Sequence, residues 1–161
     1  MDRLDTVREQ WGRERPDLNT EPMELIGRFK VLSRFLSAEM ERTFKEHGLN
    51  AASFDVLATL RRSGPPYALS PNDLLSATLV TSGTMTNRID RLVAAGFVQR
   101  LPNPDDARGC LISLTPEGRS VIDTALDAHV KTQERLVSDL SKEEQARLNA
   151  ILRRYMEVSG L

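Results

Sequence analysis

Between Thr81 and Val98 the chain reads TSGTMTNRIDRLVAAGFV. Thr84, Asn87 and Arg91 fall at i, i+3 and i+7, along one side of an α-helix. Met85, Ile89, Leu92 and Val93 recur at helical spacing on the other side. The polar side offers an amide, a guanidinium and hydroxyls, a set that can hydrogen-bond flat, polar edges. Asn pairs bidentately with adenine and Arg with guanine, and the hydroxyls of Ser82, Thr84 and Thr86 suit phosphate oxygens. An ordinary solvated helix can show the same face, so the flanking elements decide between the two. Arg88 belongs to neither side. On a helical wheel it stands beside Leu92, at the border of the apolar face. A second polar residue is out of place in SFDVLATL, where Asp55 lies among Phe54, Val56, Leu57, Ala58 and Leu60. A carboxylate in such a helix costs free energy unless it is paired or hydrogen-bonded.

The elements that hold these residues are legible from periodicity and punctuation. Residues 2–15 read as a helix ended by Pro16, followed by a linker, ERPDLNTEP. Leu25, Ile26, Phe29, Leu32, Leu36, Met40 and Phe44 recur at steps of three and four, which predicts a long amphipathic helix capped by Gly48. Asn50 caps a further helix that SGPPY breaks after about Arg62. Ser70, Pro71 and Asp73 open a short helix. After Gly96, the runs FVQRLP and GCLISL flank NPDDAR and predict a hairpin. Thr115 and Pro116 start a helix to about 138, and the Ser141/Glu144 capping box starts a last one to about Val158. A short helix, a turn and a polar-faced second helix, with a hairpin directly after, make a helix-turn-helix with a wing. In that architecture the second helix lies in the DNA major groove.

Composition is permissive. The chain has 161 residues, 40% of them hydrophobic and 28% charged, which suits a globular core and argues against disorder. No apolar run approaches the roughly 18 residues of a membrane span, and MDRLDTVREQ lacks an apolar signal region. A cytoplasmic protein with no membrane partner is expected. One cysteine excludes an internal disulfide, and Cys110, His47 and His129 fit no metal-ligand spacing. With no Gly-rich phosphate loop and no nucleophile-and-base set, no catalytic residue, metal or cofactor is expected. The net charge is −1, so any basic footprint must come from placement in the fold.

The stretch NRIDRLVAAGFVQRLPNPDDARGCLISLTPEGR resembles the MarR family of winged helix-turn-helix transcription regulators. It carries the Asp-Arg-Leu and Gly of the recognition helix, the Asp-Asp-x-Arg of the wing and the Leu-Thr-Pro-Glu-Gly of the next helix. The resemblance covers roughly residues 22–160. It implies a mainly α (α+β) fold: a winged helix-turn-helix with a two-stranded wing, flanked by N- and C-terminal dimerisation helices. The expected segments are an extra helix and linker at 1–21, a scaffold helix at 22–49, the DNA-binding lobe at 50–115 and dimerisation helices at 116–161. It further implies a homodimer on a pseudo-palindromic double-stranded DNA operator, with DNA contacts from Ser82, Thr84, Thr86, Asn87, Arg91 and the wing-tip Arg108, which Asp106 braces.

The chain also looks like the urate-responsive members of the family, through Trp11, Asp55 and Arg88. In that subgroup these positions line a pocket for the effector. The implied function is a repressor released by a small anionic ligand, urate or a related purine. Arg88 would pair with Asp55 in the free protein, and a planar anion would accept from Arg88, donate to Asp55 and stack on Trp11. Two readings stand beside this one. A MarR-type regulator could answer instead to a phenolic acid or, through Cys110, to an oxidant. A winged helix could serve protein contact without binding DNA. His47 and His129 read as helix-surface residues, the latter also as a place for subunit contact.

Overall fold

The computed structural model describes residues 2–78, 85–104 and 106–161, with Ala107 and Arg108 represented by their backbone. Its helices are α1 (Arg3–Glu14), α2 (Glu21–Glu46), α3 (Ala51–Arg62), α4 (Pro71–Ala77), α5 (Met85–Ala94), α6 (Pro116–Leu136) and α7 (Lys142–Val158). Its strands are β1 (Ala68–Leu69), β2 (Val98–Asn103) and β3 (Asp106–Leu114). Packing divides the chain into two compact units, Met1–Glu39 and Met40–Leu161.

In the first unit, Asp2 and Asp5 form a capping box that starts α1. The helix is then strapped to the start of α2 by charge. Arg28 binds Asp2 Oδ2 through Nε at 2.8 Å and Asp5 Oδ1 through Nη2 at 2.5 Å, and it also pairs with Glu24. The Arg28 guanidinium holds the Asp2 carboxyl down at about 2. Gly27 leaves the space that Leu4 fills, since an added Cβ would stand 2.9 Å from Leu4 Cδ2.

The core of the second unit is built around α3. Phe54, Val56, Leu57 and Leu60 pack with Leu74, Ile89, Leu92, Val98, Ile112 and Ile122, all buried. A helix buried on nearly every side must be apolar nearly all round, as the sequence of α3 is. The hairpin pairs Val98 with Leu114, Arg100 with Ile112 and Pro102 with Cys110, with a register shift between Pro102 and Asn103 at the wing turn. The two-stranded wing is present as expected, and the sheet gains a third strand that was not foreseen. β1 pairs with β3, giving the sheet order β1-β3-β2. A two-residue strand directly after SGPPY carries no periodicity of its own; β3 imposes it by presenting an unpaired edge. Tyr67, just before β1, has φ 58°. A bulky side chain in that left-handed region costs about 1–3 kcal/mol.

His129 is not a helix-surface residue. Its ring lies 5.1 Å from the Phe44 centroid and 4.8 Å from that of Phe54, and the two phenyl rings stack at 4.3 Å. Its Nδ1 is buried with no hydrogen-bond partner among the described residues. Burial holds its pKa below the ordinary 6.5, because a charged ring would carry an unsatisfied N–H into the core. Folding therefore favours the neutral ring. Its contribution to stability is complete above the ordinary value and is lost as pH falls through the folded one. Denaturation midpoints should drop as pH falls below about 6.5, and His129→Phe should flatten that limb of the curve. An unchanged acid slope in the variant would assign the effect to other groups.

The apolar stripe of α2 is only partly buried within the chain. Phe44 is in the core, Phe29, Leu36 and Met40 are half-buried, and Leu25, Ile26 and Leu32 are exposed. Leu148, Ile151, Tyr155 and Met156 of α7 are exposed as well. Among the described residues, no helix is long and apolar enough to cross a membrane.

Candidate nucleic-acid interface

Helix α5 divides as its sequence predicts. Met85, Ile89 and Leu92 are buried, while Thr86, Asn87, Asp90 and Arg91 are exposed. Val93, expected on the apolar side, is 37% exposed, at the edge of the packed stripe. Arg88 is half-buried, as its place at the border requires. Ser82 and Thr84 lie outside the described residues. At the start of the motif, the Ser70 hydroxyl accepts from the Asp73 N–H to cap α4, and Pro71 occupies the first helical position. The C-terminal end of α5 is closed by Gly96, whose φ of 76° only glycine adopts without strain.

The hairpin is tied to α5 by a contact the sequence reading did not foresee. Arg100 of β2 donates from Nη2 to Asp90 Oδ1 of α5 at 2.7 Å, and its Nη1 lies 3.8 Å from Cys110 Sγ of β3. One guanidinium thus spans the helix and both wing strands, and its own pKa is raised by the Asp90 carboxylate. The pair is exposed, so its worth is about 1 kcal/mol or less. Its geometric effect is larger, because it sets the hairpin against the polar face of α5. A clue was present in the sequence: a carboxylate on a face meant for a polyanion is repelled unless a cation covers it. Arg108 lies on β3 by its backbone. The Asp106 carboxylate folds over Gly109, where an added Cβ would stand 3.0 Å from Oδ2. Cys110 is half-buried, packed against the core through β3.

A second clamp joins the far end of α5 to α6. Thr115 caps α6 by accepting from the Gly118 N–H at 2.9 Å, and its hydroxyl lies 2.7 Å from the Gly96 carbonyl, to which it donates, and 3.2 Å from that of Phe97. Gly118 lets the α6 backbone come so close that a Cβ there would stand 1.9 Å from the Phe97 carbonyl oxygen. The Leu-Thr-Pro-Glu-Gly stretch is therefore a joint as well as a helix start.

The three expected effector residues fall in different settings. Asp55 is buried in α3, at 9% exposure. One turn on, the hydroxyl of Thr59 is buried with no hydrogen-bond partner among the described residues, so α3 carries a polar line at i and i+4 through an apolar helix. Trp11 is 41% exposed on α1. Within its own unit it borders a recess of about 70 Å³, shared with Leu4, Val7, Arg8, Thr20, Met23 and Glu24. That recess is small beside the roughly 300 Å³ at which ligand pockets begin.

A sequence model of the MarR family matches residues 47–109, which hold α3, α4, α5 and most of the hairpin. The chain is 40% identical over 146 residues to the HTH-type transcriptional regulator PecS of Dickeya dadantii, spanning 91% of this chain and 88% of that protein. Among solved structures it is similar to a mutant of MarR from E. coli complexed with operator DNA. There the TM-score is 0.74 at 27% identity, over 85% of this chain and 96% of that one. It is also similar to Bordetella bronchiseptica BpsR, whose DNA binding is regulated by 6-hydroxynicotinic acid. That match has a TM-score of 0.69 at 27% identity, over 79% of this chain and 89% of that one.

Proposed function

Because the chain belongs to the MarR family of winged helix-turn-helix transcriptional regulators, we propose that it is a repressor that binds a pseudo-palindromic operator as a homodimer. A small anionic ligand, urate or a related purine, releases it. The observation that carries the DNA reading is the exposed face of α5. Thr86, Asn87 and Arg91 stand in solvent opposite the buried Met85, Ile89 and Leu92, beside a hairpin strapped to the same helix. Asn87 and Arg91 read bases, while Ser82, Thr84, Thr86 and the wing residue Arg108 hold backbone or groove, with Asp106 in support. The exposed leucine, isoleucine and aromatic side chains of α2 and α7 favour a second copy of the chain, because apolar patches of this extent on helices mark protein contacts. In such a dimer the two α5 helices meet half-sites roughly 34–36 Å apart.

For the effector, the support is chemical. One turn on from the buried Asp55, the Thr59 hydroxyl is buried with no hydrogen-bond partner among the described residues, a polar group that a ligand can use. Arg88 rides on α5, so an anion that binds Arg88 acts directly on the DNA-reading element. Urate would take Arg88, Asp55 and Trp11 as its contacts. A small aromatic acid is the second reading, favoured by the 6-hydroxynicotinic acid response of BpsR.

One titration tests both parts. A labelled palindromic duplex is bound by the full chain at several salt concentrations, then challenged with urate or salicylate. The expected result is log Kd rising with log salt at a slope of about 0.9 per phosphate neutralised. Urate should shift the curve about 5- to 150-fold, and the shift should be lost in Arg88→Ala. Salt-independent or absent duplex binding would leave a protein-contact module. Release by salicylate and not by urate would replace the purine with an aromatic acid.

A further inference from the structure

We propose that Asp90, although acidic, strengthens DNA binding by holding Arg100 and through it the wing that carries Arg108; this builds on the operator reading given above. Elementary electrostatics points the other way. Asp90 shares the exposed side of α5 with Asn87 and Arg91, and a bare carboxylate there repels a polyanion. The strap, however, sits where the hairpin loses its support. β1 pairs with β3 at Ser113 and Ile112, and Ile112 is also the β3 partner of Arg100. From that rung to the turn the hairpin is a two-stranded ribbon among the described residues. Such ribbons twist the most and are marginal by themselves. Arg100 clamps the root of the ribbon. Its Nη2 donates to Asp90 Oδ1 at 2.7 Å, and its Nη1 reaches Cys110 Sγ, the diagonal neighbour on β3, at 3.8 Å.

Leverage makes this clamp matter. Along β3, Arg108 stands about 13 Å from Ile112, at roughly 3.3 Å per residue. The twist between neighbouring strands varies over about 25°. A swing of about 15° at the root lies inside that range and carries the Arg108 position about 3 Å sideways. The minor groove is about 6 Å wide, so such a swing moves the wing residue by half a groove. An ion pair too exposed to add much stability thus decides where the wing lands. The charge of Asp90 is already matched by Arg100 at contact distance. What neutralising Asp90 chiefly loses is therefore the anchor, not the repulsion.

The full chain first selects a duplex from a random pool, and binding to that duplex is then measured by fluorescence anisotropy at several salt concentrations. Asp90→Asn is expected to weaken binding as Arg108→Ala does, roughly eightfold near 0.1 M salt, the share of one neutralised phosphate. Its salt slope should fall by about one, although the variant is the more positive protein. Adding Arg108→Ala to Arg100→Gln should cost nothing further. Asp90→Glu, which keeps the carboxylate, should recover most of the affinity. Melting temperatures should stay within about 4 °C of the parent, which separates the effect from unfolding. Asp90→Asn binding as tightly as the parent, or tighter, would overturn the proposal and leave Asp90 as a repulsive charge. A full Arg108→Ala loss in the Arg100→Gln background would overturn it too. A parent chain that selects no duplex would remove the operator reading itself, and the role of the strap with it.

Discussion

Gly118→Ala is expected to destabilise the protein by on the order of 3 kcal/mol, against the usual direction of the change. In an open helix the same substitution stabilises by about 1 kcal/mol, because alanine loses less backbone entropy. At Gly118 the new methyl would meet the Phe97 carbonyl oxygen at 1.9 Å, and that oxygen belongs to backbone, not to a side chain that can turn away. Either α6 or the segment after α5 must move. Moving them also loosens the Thr115 hydroxyl from the Gly96 carbonyl. Gly12→Ala is the control, since α1 leaves open space around that position. Thermal unfolding of the two variants should shift in opposite directions, down by roughly 10 °C for Gly118→Ala and slightly up for Gly12→Ala. A Gly118→Ala variant as stable as its parent would mean that the close approach is not native.

Arg91→Ala should weaken operator binding by about 1–3 kcal/mol, or roughly 5- to 150-fold in Kd. Arg91 is exposed on α5, one turn along the polar face from Asn87. The loss should be concentrated on the specific duplex and smaller on a scrambled one, as the removal of a base contact requires. Quenching of Trp11 fluorescence by urate should survive, because Arg91 faces away from the packed side of the helix. Arg108→Ala should behave differently, weakening all duplexes together and lowering the salt slope by about one. Equal losses on specific and scrambled DNA in Arg91→Ala would reassign that residue to phosphate.

Helix order, caps and the polar face of α5 were legible in the sequence because each rests on local chemistry. Asn50 and Ser141 are caps with the expected donors, and Gly48 and Gly96 end their helices at positive φ. The MarR resemblance was legible because its motif is continuous in the chain. What escaped notice was non-local. The two residues of β1 become a strand only because β3 lies beside them. His129 looked like a surface residue because one polar side chain on a helix does not reveal that Phe44 and Phe54 will surround it. The Asp90–Arg100 strap joins residues ten apart across a turn. Thr115 and Gly118 were visible as a motif, but their grip on Gly96 and Phe97 appears only when α6 folds back.

The joint between Gly96 and Gly118 also marks where this molecule can be cut and recombined. The exposed positions of α5 are fastened midway by a strap and beyond the C-terminal end by a backbone-to-backbone contact that admits no larger residue. Such a part is interchangeable: Thr86, Asn87 and Arg91 can be rewritten for a new target sequence without retuning the scaffold. Chimeras that take α5 and the hairpin from one parent and α6 from another break the seam at its tightest point. Those that carry residues 85–118 across as one piece keep it closed.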